Sequence, residues 1–209
     1  MGAPRLPRSR IFLLSPANAN GERARMTLRE EASFDLAVRL REEGAPIGEV
    51  FSFISGLYFR GKLLYAETFA APPQGLPCAL VITPDRGLVP TDQRITREDL
   101  RASAEIPIDL AEPRFVQPFE RDARALAERA GVDCDIILLG SVASAKYVDP
   151  LLTIFGEQLL FPADFVGRGD MSRGGLMLRC SREGAEMNYI PVRGAVRRGP
   201  RPPKLKRLG

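Results

Sequence analysis

The residues best suited to chemistry lie in loops that directly follow apolar runs. Ser15 and Asn18 follow the first run and could offer a hydroxyl and an amide to a polar ligand, although an ordinary proline turn would use the same residues. Thr83, Asp85 and Arg86 follow a second run. A carboxylate and a guanidinium at the end of a buried strand are placed for proton transfer or for orienting a substrate, and an exposed turn is the simpler alternative.

A third loop combines Gly140 and Ser141 with Lys146, which lies a short way into the next helical segment. Backbone N–H groups at the start of a helix and a nearby ammonium can together bind an anion. The spacing differs from GxxxxGK[ST], so a nucleoside-triphosphate site of that type is excluded. The alternative is a solvated lysine, or one that pairs with Asp149.

The fourth loop, residues 164–175, contains four glycines, two aspartates and two arginines. The glycines would let the backbone approach a ligand, and Arg168, Asp170 and Arg173 would supply charges of both signs. A flexible surface loop whose charges pair internally is the alternative.

A fifth segment, residues 55–62 (SGLYFRGK), places two aromatic side chains beside two cations. Tyr58 could stack on a base while Arg60 holds a phosphate. A helix with core aromatic side chains and solvated cations is equally compatible with the pattern.

These segments supply candidate catalytic groups and candidate ligand contacts. The catalytic candidates are Asp85, Lys146 and Asp170. The candidate ligand contacts are Ser15, Asn18, Tyr58, Arg60, Thr83, Arg86, Gly140, Ser141, Arg168 and Arg173.

Histidine is absent from the sequence, which excludes a Ser-His-Asp triad, a Cys-His pair and any His-ligated metal site. The three cysteines, Cys78, Cys134 and Cys180, are far apart and form no CxxC pair. Buried thiols in a reducing compartment are therefore a better interpretation than a zinc cluster or a disulfide framework. The sequence indicates no metal and no cofactor.

No segment offers the roughly 20 apolar residues that a membrane span needs. The N-terminal residues, MGAPRLPRSR, have charge but lack the apolar core of a secretion signal. We therefore expect a cytoplasmic protein with no membrane partner.

The net charge of +4 is unevenly distributed. Residues 1–10 and 197–209 carry nine cations and no acid, whereas residues 11–196 carry 21 cations and 26 acids and have a net charge of −5. We expect one domain, residues 11–196, between a basic N-terminal tail and a basic, proline-rich C-terminal arm. The arm could contact nucleic-acid phosphates, although basic tails without such a partner are common. Its cations are Arg197, Arg198, Arg201, Lys204, Lys206 and Arg207.

Apolar runs alternate with segments of helical spacing, which predicts an α/β domain. Its expected architecture is a mostly parallel central sheet flanked by helices, with a C-terminal antiparallel hairpin. The predicted strands are residues 10–15, 76–84, 135–140 and 158–161, and the predicted helices are residues 30–43, 57–69, 119–130 and 141–155.

Three further segments carry local signals. Thr96 with Asp99 forms a capping-box pattern that predicts a helix start. The loop after Ser15 and residues 107–118 are expected to be irregular, and residues 175–181 with 186–192 are expected to form the closing hairpin. Because ligands bind outside the carboxyl ends of parallel strands, the loops after residues 15, 82, 140 and 161 should form a single site.

The order of these motifs resembles the YaaA-like (peroxide-stress protein) superfamily of bacterial proteins, most of which have no defined function. Ser15-Pro16-Ala17 resembles its SPAK opening, with Asn18 in place of the lysine. Residues 56–66 are similar to an LYxxxFRxAxxYA helix, and residues 82–90 to an LSAKYGLxxP strand and loop. Residues 140–151 and 162–169 are similar to the later GxxYxxxL and PxxGxG elements.

The resemblance implies an α/β domain associated with DNA binding and with the processing of nucleobases or modified bases, including 7-deazaguanine chemistry. The lysines of the first and third motifs are replaced here, so a catalytic step that used them would not carry over.

Two functions are compatible with the sequence. In the first, the loops bind a nucleobase or nucleotide, alone or within a nucleic acid, and could act on it through Asp85, Lys146 or Asp170. In the second, the protein is a non-catalytic module that binds nucleic acid or protein through its basic arm.

Overall fold

Four apolar strands form the parallel centre of the sheet in a computed structural model that describes residues 8–203. They are β1 (Ser9–Leu14), β3 (Ala79–Thr83), β6 (Cys134–Leu139) and β7 (Leu159–Pro162). β1 lies between β3 and β6, β6 pairs with β7, and all these pairings are parallel. Nearly all their side chains are buried because both faces of the sheet are covered, which is why these strands appear in the sequence as continuous apolar runs.

An antiparallel strand closes each edge of this sheet. β4 (Gly87–Pro90) pairs with β3, and β8 (Tyr189–Pro191) pairs with β7. The predicted fold class is therefore confirmed. The C-terminal antiparallel pair is formed by other segments than expected. Residues 175–181, the predicted first strand of the hairpin, are helical, and β8 pairs with β7 instead. A separate two-stranded sheet joins β2 (Ala45–Pro46) to β5 (Arg94–Ile95).

Eight α-helices accompany the strands within residues 8–203, and none of them is both long and apolar enough to cross a membrane. The predicted helix at residues 57–69 and the predicted capping box are confirmed, since Thr96 and Asp99 cap α5 reciprocally. The helices are α1 (Glu22–Leu28), α2 (Asp35–Glu42), α3 (Ile47–Ser55), α4 (Leu57–Phe69), α5 (Arg97–Glu105), α6 (Pro113–Ala130), α7 (Ala145–Phe155) and α8 (Asp170–Glu183).

Two helices begin in segments that were expected to be irregular. α1 begins within the loop that follows β1, and α6 begins at Pro113, well before the predicted start at residue 119. Proline suits the first turn of a helix because the N–H it lacks would have no intrahelical partner there. The Glu112 side chain accepts a hydrogen bond from the Arg114 backbone N–H and completes this helix start.

Glycines let α4 and α8 pack against each other at backbone contact. A Cβ added at Gly174 would lie 2.8 Å from the Leu57 carbonyl oxygen and 2.8 Å from the Tyr58 Cα. A Cβ added at Gly61 would lie 2.7 Å from the Gly174 carbonyl oxygen. Gly174, which the sequence assigned to a ligand-binding loop, thus serves helix packing.

The beginning of the C-terminal arm lies against the domain. Residues 192–203 contain no helix or strand, and Arg197 Nη1 lies 3.4 Å from Asp149 Oδ1. A Cβ added at Gly167 would clash with the Pro200 carbonyl oxygen, so the arm packs on the loop that follows β7. Arg198 and Arg201 are exposed. The predicted phosphate contacts at Lys204, Lys206 and Arg207 fall outside the described residues.

The three cysteines differ in burial, although all were expected to be buried. Cys134 is buried in β6, Cys180 is partly buried in α8, and Cys78 is exposed. The expectation was wrong for Cys78 because this residue precedes β3 and lies outside the sheet.

Candidate functional site

The main candidate site is a cavity of about 290 Å³ between the carboxyl ends of β1 and β6. From β1 the chain moves outward to β3 and β4 on one side, then returns to β6 on the other side and continues outward to β7 and β8. Such a reversal of direction leaves a crevice in which α/β proteins bind ligands. We call it the β1–β6 cavity. It is lined by Ser15, Pro16, Asn18, Ser55, Tyr58, Ser141, Tyr147 and Asp170.

Five predicted site residues meet in the β1–β6 cavity. Ser15 and Asn18 follow β1, Tyr58 lies on α4, Ser141 follows β6, and Asp170 begins α8. The sequence did not single out Ser55 or Tyr147 as ligand contacts. Both lie inside segments that the motifs had marked, so the segments were informative even where the individual residues were missed.

A second cavity of about 340 Å³ lies between the loops that follow β1 and β3. Lys146 lines it together with Pro84 and Ser103, and it shares Pro16 and Asn18 with the β1–β6 cavity. Lys146 is exposed and occupies the first turn of α7. The structure thus places Lys146 next to the β1–β6 cavity instead of among its lining residues.

Asp85 and its neighbours hold a turn together. The Asp85 carboxylate accepts a 2.6 Å hydrogen bond from Ser103 Oγ and a 3.1 Å hydrogen bond from Arg86 Nε. Thr83 Oγ1 donates to the Gly87 carbonyl and accepts from the Arg86 backbone N–H. These side chains fix the β3–β4 turn against α5, and they are not among the lining residues of the two cavities.

The predicted arginine contacts are not among the residues that line the two cavities, and most of them have structural partners. Arg173 is buried and donates from Nε and Nη2 to the Phe165 carbonyl at 3.3 and 3.1 Å. Its Nη1 lies 3.7 Å from Asp170 Oδ1, so it anchors the start of α8. Arg168 donates to the Asp164 carbonyl, and Arg60 is exposed on α4.

Gly140, a predicted ligand contact, has no side chain, and its effect on the cavity is to leave space for two neighbouring residues. A Cβ added at Gly140 would lie 2.8 Å from Ser15 Cβ and 3.4 Å from Tyr147 Oη. Only glycine therefore leaves room for Ser15 and Tyr147 to lie side by side.

Lys62 is the most unusual group near the cavity. It is fully buried, and its Nζ donates to the Ser15 carbonyl oxygen at 2.5 Å and to Ser15 Oγ at 3.0 Å. The Nζ also lies 4.4 Å from the centre of the Tyr58 ring. Burial lowers the pKa of Lys62 to about 7, while Asp170 raises it and Arg173 lowers it further.

The sequence treated Lys62 as a solvated or phosphate-binding cation, and the structure shows that this was wrong. Lys62 lies one helical turn from Tyr58 and from Ala66, both of which are buried. Helical spacing could therefore have placed Lys62 on the inner face of α4.

Two tyrosines give the cavity neutral hydrogen-bonding groups. Burial raises the pKa of Tyr58 to about 12, an effect that Arg173 opposes. Among residues 8–203, no group hydrogen-bonds to the Tyr58 hydroxyl within normal geometry. Tyr147 Oη donates to the Ser141 carbonyl at 3.3 Å, and burial raises the pKa of Tyr147 as well. Both phenols are thus neutral near pH 7, and the Tyr147 hydroxyl already donates its proton to Ser141.

Comparison of the chain with family models, with curated proteins and with solved structures found no match. The YaaA-like resemblance stays a prediction from the motifs.

Proposed function

We propose that the protein binds a nucleobase or nucleoside in the β1–β6 cavity. The observation that carries this proposal is the convergence of five side chains, predicted from separate motifs, at the point where the strand order reverses. Their hydroxyl, amide and carboxylate groups can fix the polar edge of a base, while the tyrosine rings offer flat apolar surface.

The charges around the cavity favour a base over a phosphate. Asp170 is the charged residue among those that line the cavity, and a carboxylate only accepts hydrogen bonds. It therefore favours a ligand edge that carries N–H donors, such as the imino and amino groups of a guanine-type base. The Asn18 side chain supports this arrangement, since Oδ1 accepts from the Asn20 backbone N–H and leaves the amide NH₂ for a ligand.

The second cavity offers a place for a phosphate. Lys146 lies there, near the positive end of α7, and Pro16 and Asn18 separate it from the β1–β6 cavity. A nucleoside monophosphate could thus occupy the β1–β6 cavity with its base and reach Lys146 with its phosphate.

Asp170→Asn is expected to weaken binding of guanosine about tenfold or more. The variant loses a charge-assisted hydrogen bond, which contributes roughly 1.5–3 kcal/mol. Isothermal titration calorimetry with guanosine, adenosine and cytidine measures this effect. Glu183→Gln, an exposed acid at the other end of α8, should change affinity less than about twofold. The proposal fails if the parent protein binds none of these nucleosides, or if Asp170→Asn binds them equally well.

Lys146→Met is expected to weaken binding of guanosine monophosphate and to leave binding of guanosine unchanged. The exposed ammonium would contact only the phosphate, so its removal should cost about three- to tenfold in affinity for the monophosphate. The melting temperature should change little because the side chain is exposed. Equal losses for both ligands, or no loss for either, would show that Lys146 is not a phosphate contact.

A further inference from the structure

Ser15 and Lys62 form a hydrogen-bonded pair at the base of the β1–β6 cavity. Ser15 is nearly buried but lines the cavity, whereas Lys62 lies wholly behind it. The 3.0 Å contact between Lys62 Nζ and Ser15 Oγ joins the side chain of a serine that lines the cavity to an amine that solvent cannot reach. A serine that can pass its proton to a neighbouring base is the arrangement that nucleophilic catalysis requires.

We propose that Ser15 is a nucleophile, that Lys62 is its general base, and that the protein hydrolyses an ester or amide bond through an acyl-Ser15 intermediate. The proposal uses the same cavity as the proposed function, but it does not require the substrate to contain a nucleobase.

The local geometry keeps Lys62 ready to accept a proton. In the structure Lys62 Nζ donates to the Ser15 carbonyl oxygen at 2.5 Å and to Ser15 Oγ at 3.0 Å. When Lys62 is a neutral amine, the same 3.0 Å contact lets its lone pair accept the proton of the Ser15 hydroxyl. Burial favours the amine over the ammonium because a charged group loses its hydration there. The other groups that act on Lys62 are Asp170 and Arg173 of α8, which have opposite effects. The Tyr58 and Phe59 rings also pack against its Nζ.

The reaction proceeds in two steps. Ser15 Oγ forms a bond to the substrate carbonyl carbon and passes its proton to Lys62 Nζ. The bond between that carbon and the leaving group then breaks, and the leaving group takes up the proton. In the second step a water molecule attacks the acyl-Ser15, with Lys62 again as the base, which releases a carboxylic acid and restores the serine hydroxyl.

Two groups that line the cavity can donate hydrogen bonds to the oxyanion that develops on the carbonyl oxygen. Asn18 Oδ1 accepts from the Asn20 backbone N–H, which leaves the amide NH₂ as the donor of this side chain, and the Tyr58 hydroxyl lies near Arg173 without a hydrogen bond of normal geometry within residues 8–203. Donors that are already in place before the reaction stabilise developing charge most effectively.

The alternative is that Lys62 only joins α4 to the end of β1. Its hydrogen bond to the Ser15 carbonyl would serve that purpose, and a neutral buried amine with satisfied hydrogen bonds is stable. A structural Lys62 predicts that Ser15 reacts no faster than an ordinary serine and that its reactivity is independent of Lys62.

Diisopropyl fluorophosphate and p-nitrophenyl acetate are small probes that test the pair directly. Each forms a covalent bond to an activated serine, with loss of fluoride or of nitrophenol. After an acid quench, peptide mass spectrometry should locate the phosphoryl or acetyl group on Ser15. Ser15→Ala should abolish this label. Ser181→Ala, which removes a serine of α8 that is not among the cavity-lining residues, should label like the parent.

Lys62→Met should slow the labelling of Ser15 by about a hundredfold or more, which is the typical contribution of a general base. Methionine fills the same buried space without a charge, and circular dichroism checks that the variant is folded. For the parent protein alone, the labelling rate should rise between pH 6 and 8 and level off above, as Lys62 loses its proton.

The proposal is overturned if no label reaches Ser15, if the rate is independent of pH, or if folded Lys62→Met labels at the parent rate. These results are distinct from those for nucleoside binding. If Ser15 is labelled but the protein binds no nucleoside, the catalytic pair is supported and the proposed nucleoside ligand is wrong.

Discussion

The free energy of unfolding is expected to increase by about 2–3 kcal/mol between pH 7 and pH 9, because each pKa unit corresponds to about 1.4 kcal/mol. The cause is Lys62, whose pKa falls from 10.5 in the unfolded chain to about 7 in the fold. In this interval the unfolded chain binds a proton that the folded protein does not bind, so raising the pH favours the fold. Below pH 7 both states are protonated, and the increment is absent.

Urea denaturation of the parent and of Lys62→Met across pH 6–9 measures this effect. The difference in stability between the two proteins isolates Lys62, since Cys134, whose pKa burial raises to about 11, titrates alike in both. Between pH 7 and pH 9 the free energy of unfolding of the parent should rise by about 2–3 kcal/mol relative to that of Lys62→Met. Lys146→Met removes an exposed lysine instead and should preserve the pH dependence of the parent. If the difference in stability between the parent and Lys62→Met is the same at every pH, Lys62 keeps an ordinary pKa.

Gly174→Ser is expected to destabilise the protein by at least about 2 kcal/mol, which is typical of overpacking in a closely packed interior. The added Cβ would meet the Leu57 carbonyl and the Tyr58 Cα at 2.8 Å. Both are backbone atoms of α4, so α4 and α8 would have to separate. This separation would also move Tyr58 of α4 and Asp170 of α8, which both line the β1–β6 cavity.

The matched control is Gly169→Ser, the same substitution at the N-cap of the same helix. A Cβ added at Gly169 would meet no atom within 4 Å, and serine is a preferred N-cap residue. Gly169→Ser should therefore be neutral or slightly stabilising. Equal stability of the two serine variants, measured by urea denaturation, would contradict the assigned packing of α4 on α8.

The parallel strands were predictable because strands buried on both faces leave continuous apolar runs in the sequence. α8 was not predictable in the same way. Gly174 and Gly175 have the lowest helix propensity of any residues except proline, and this favoured a loop followed by a strand. The gain from packing Gly174 directly against α4 outweighs this propensity, and a contact between segments so distant in the chain leaves no local signal.

The position of the β1–β6 cavity was predictable, whereas the partners of the charged side chains were not. Ser15, Ser141 and Asp170 meet because parallel strands end at the same edge. Asp85, by contrast, finds its partner in Ser103, which no motif connects to it, and Arg173 is held by a backbone carbonyl of its own segment, that of Phe165. Lys62 illustrates the same limit. Lysine is almost never fully buried, so the residue type predicts a solvated side chain, whereas Lys62 is buried.

The central position of β1 has a consequence for how the protein forms during synthesis. β1 is made first, but one of its two neighbours, β6, begins only at Cys134. The helix that carries Asp170 is made later still. Pairing between such distant segments is slow, and an unpaired strand edge is prone to aggregate. The ribosome must therefore release most of the chain before the cavity can exist, and a prematurely terminated chain would expose an apolar strand with no functional site.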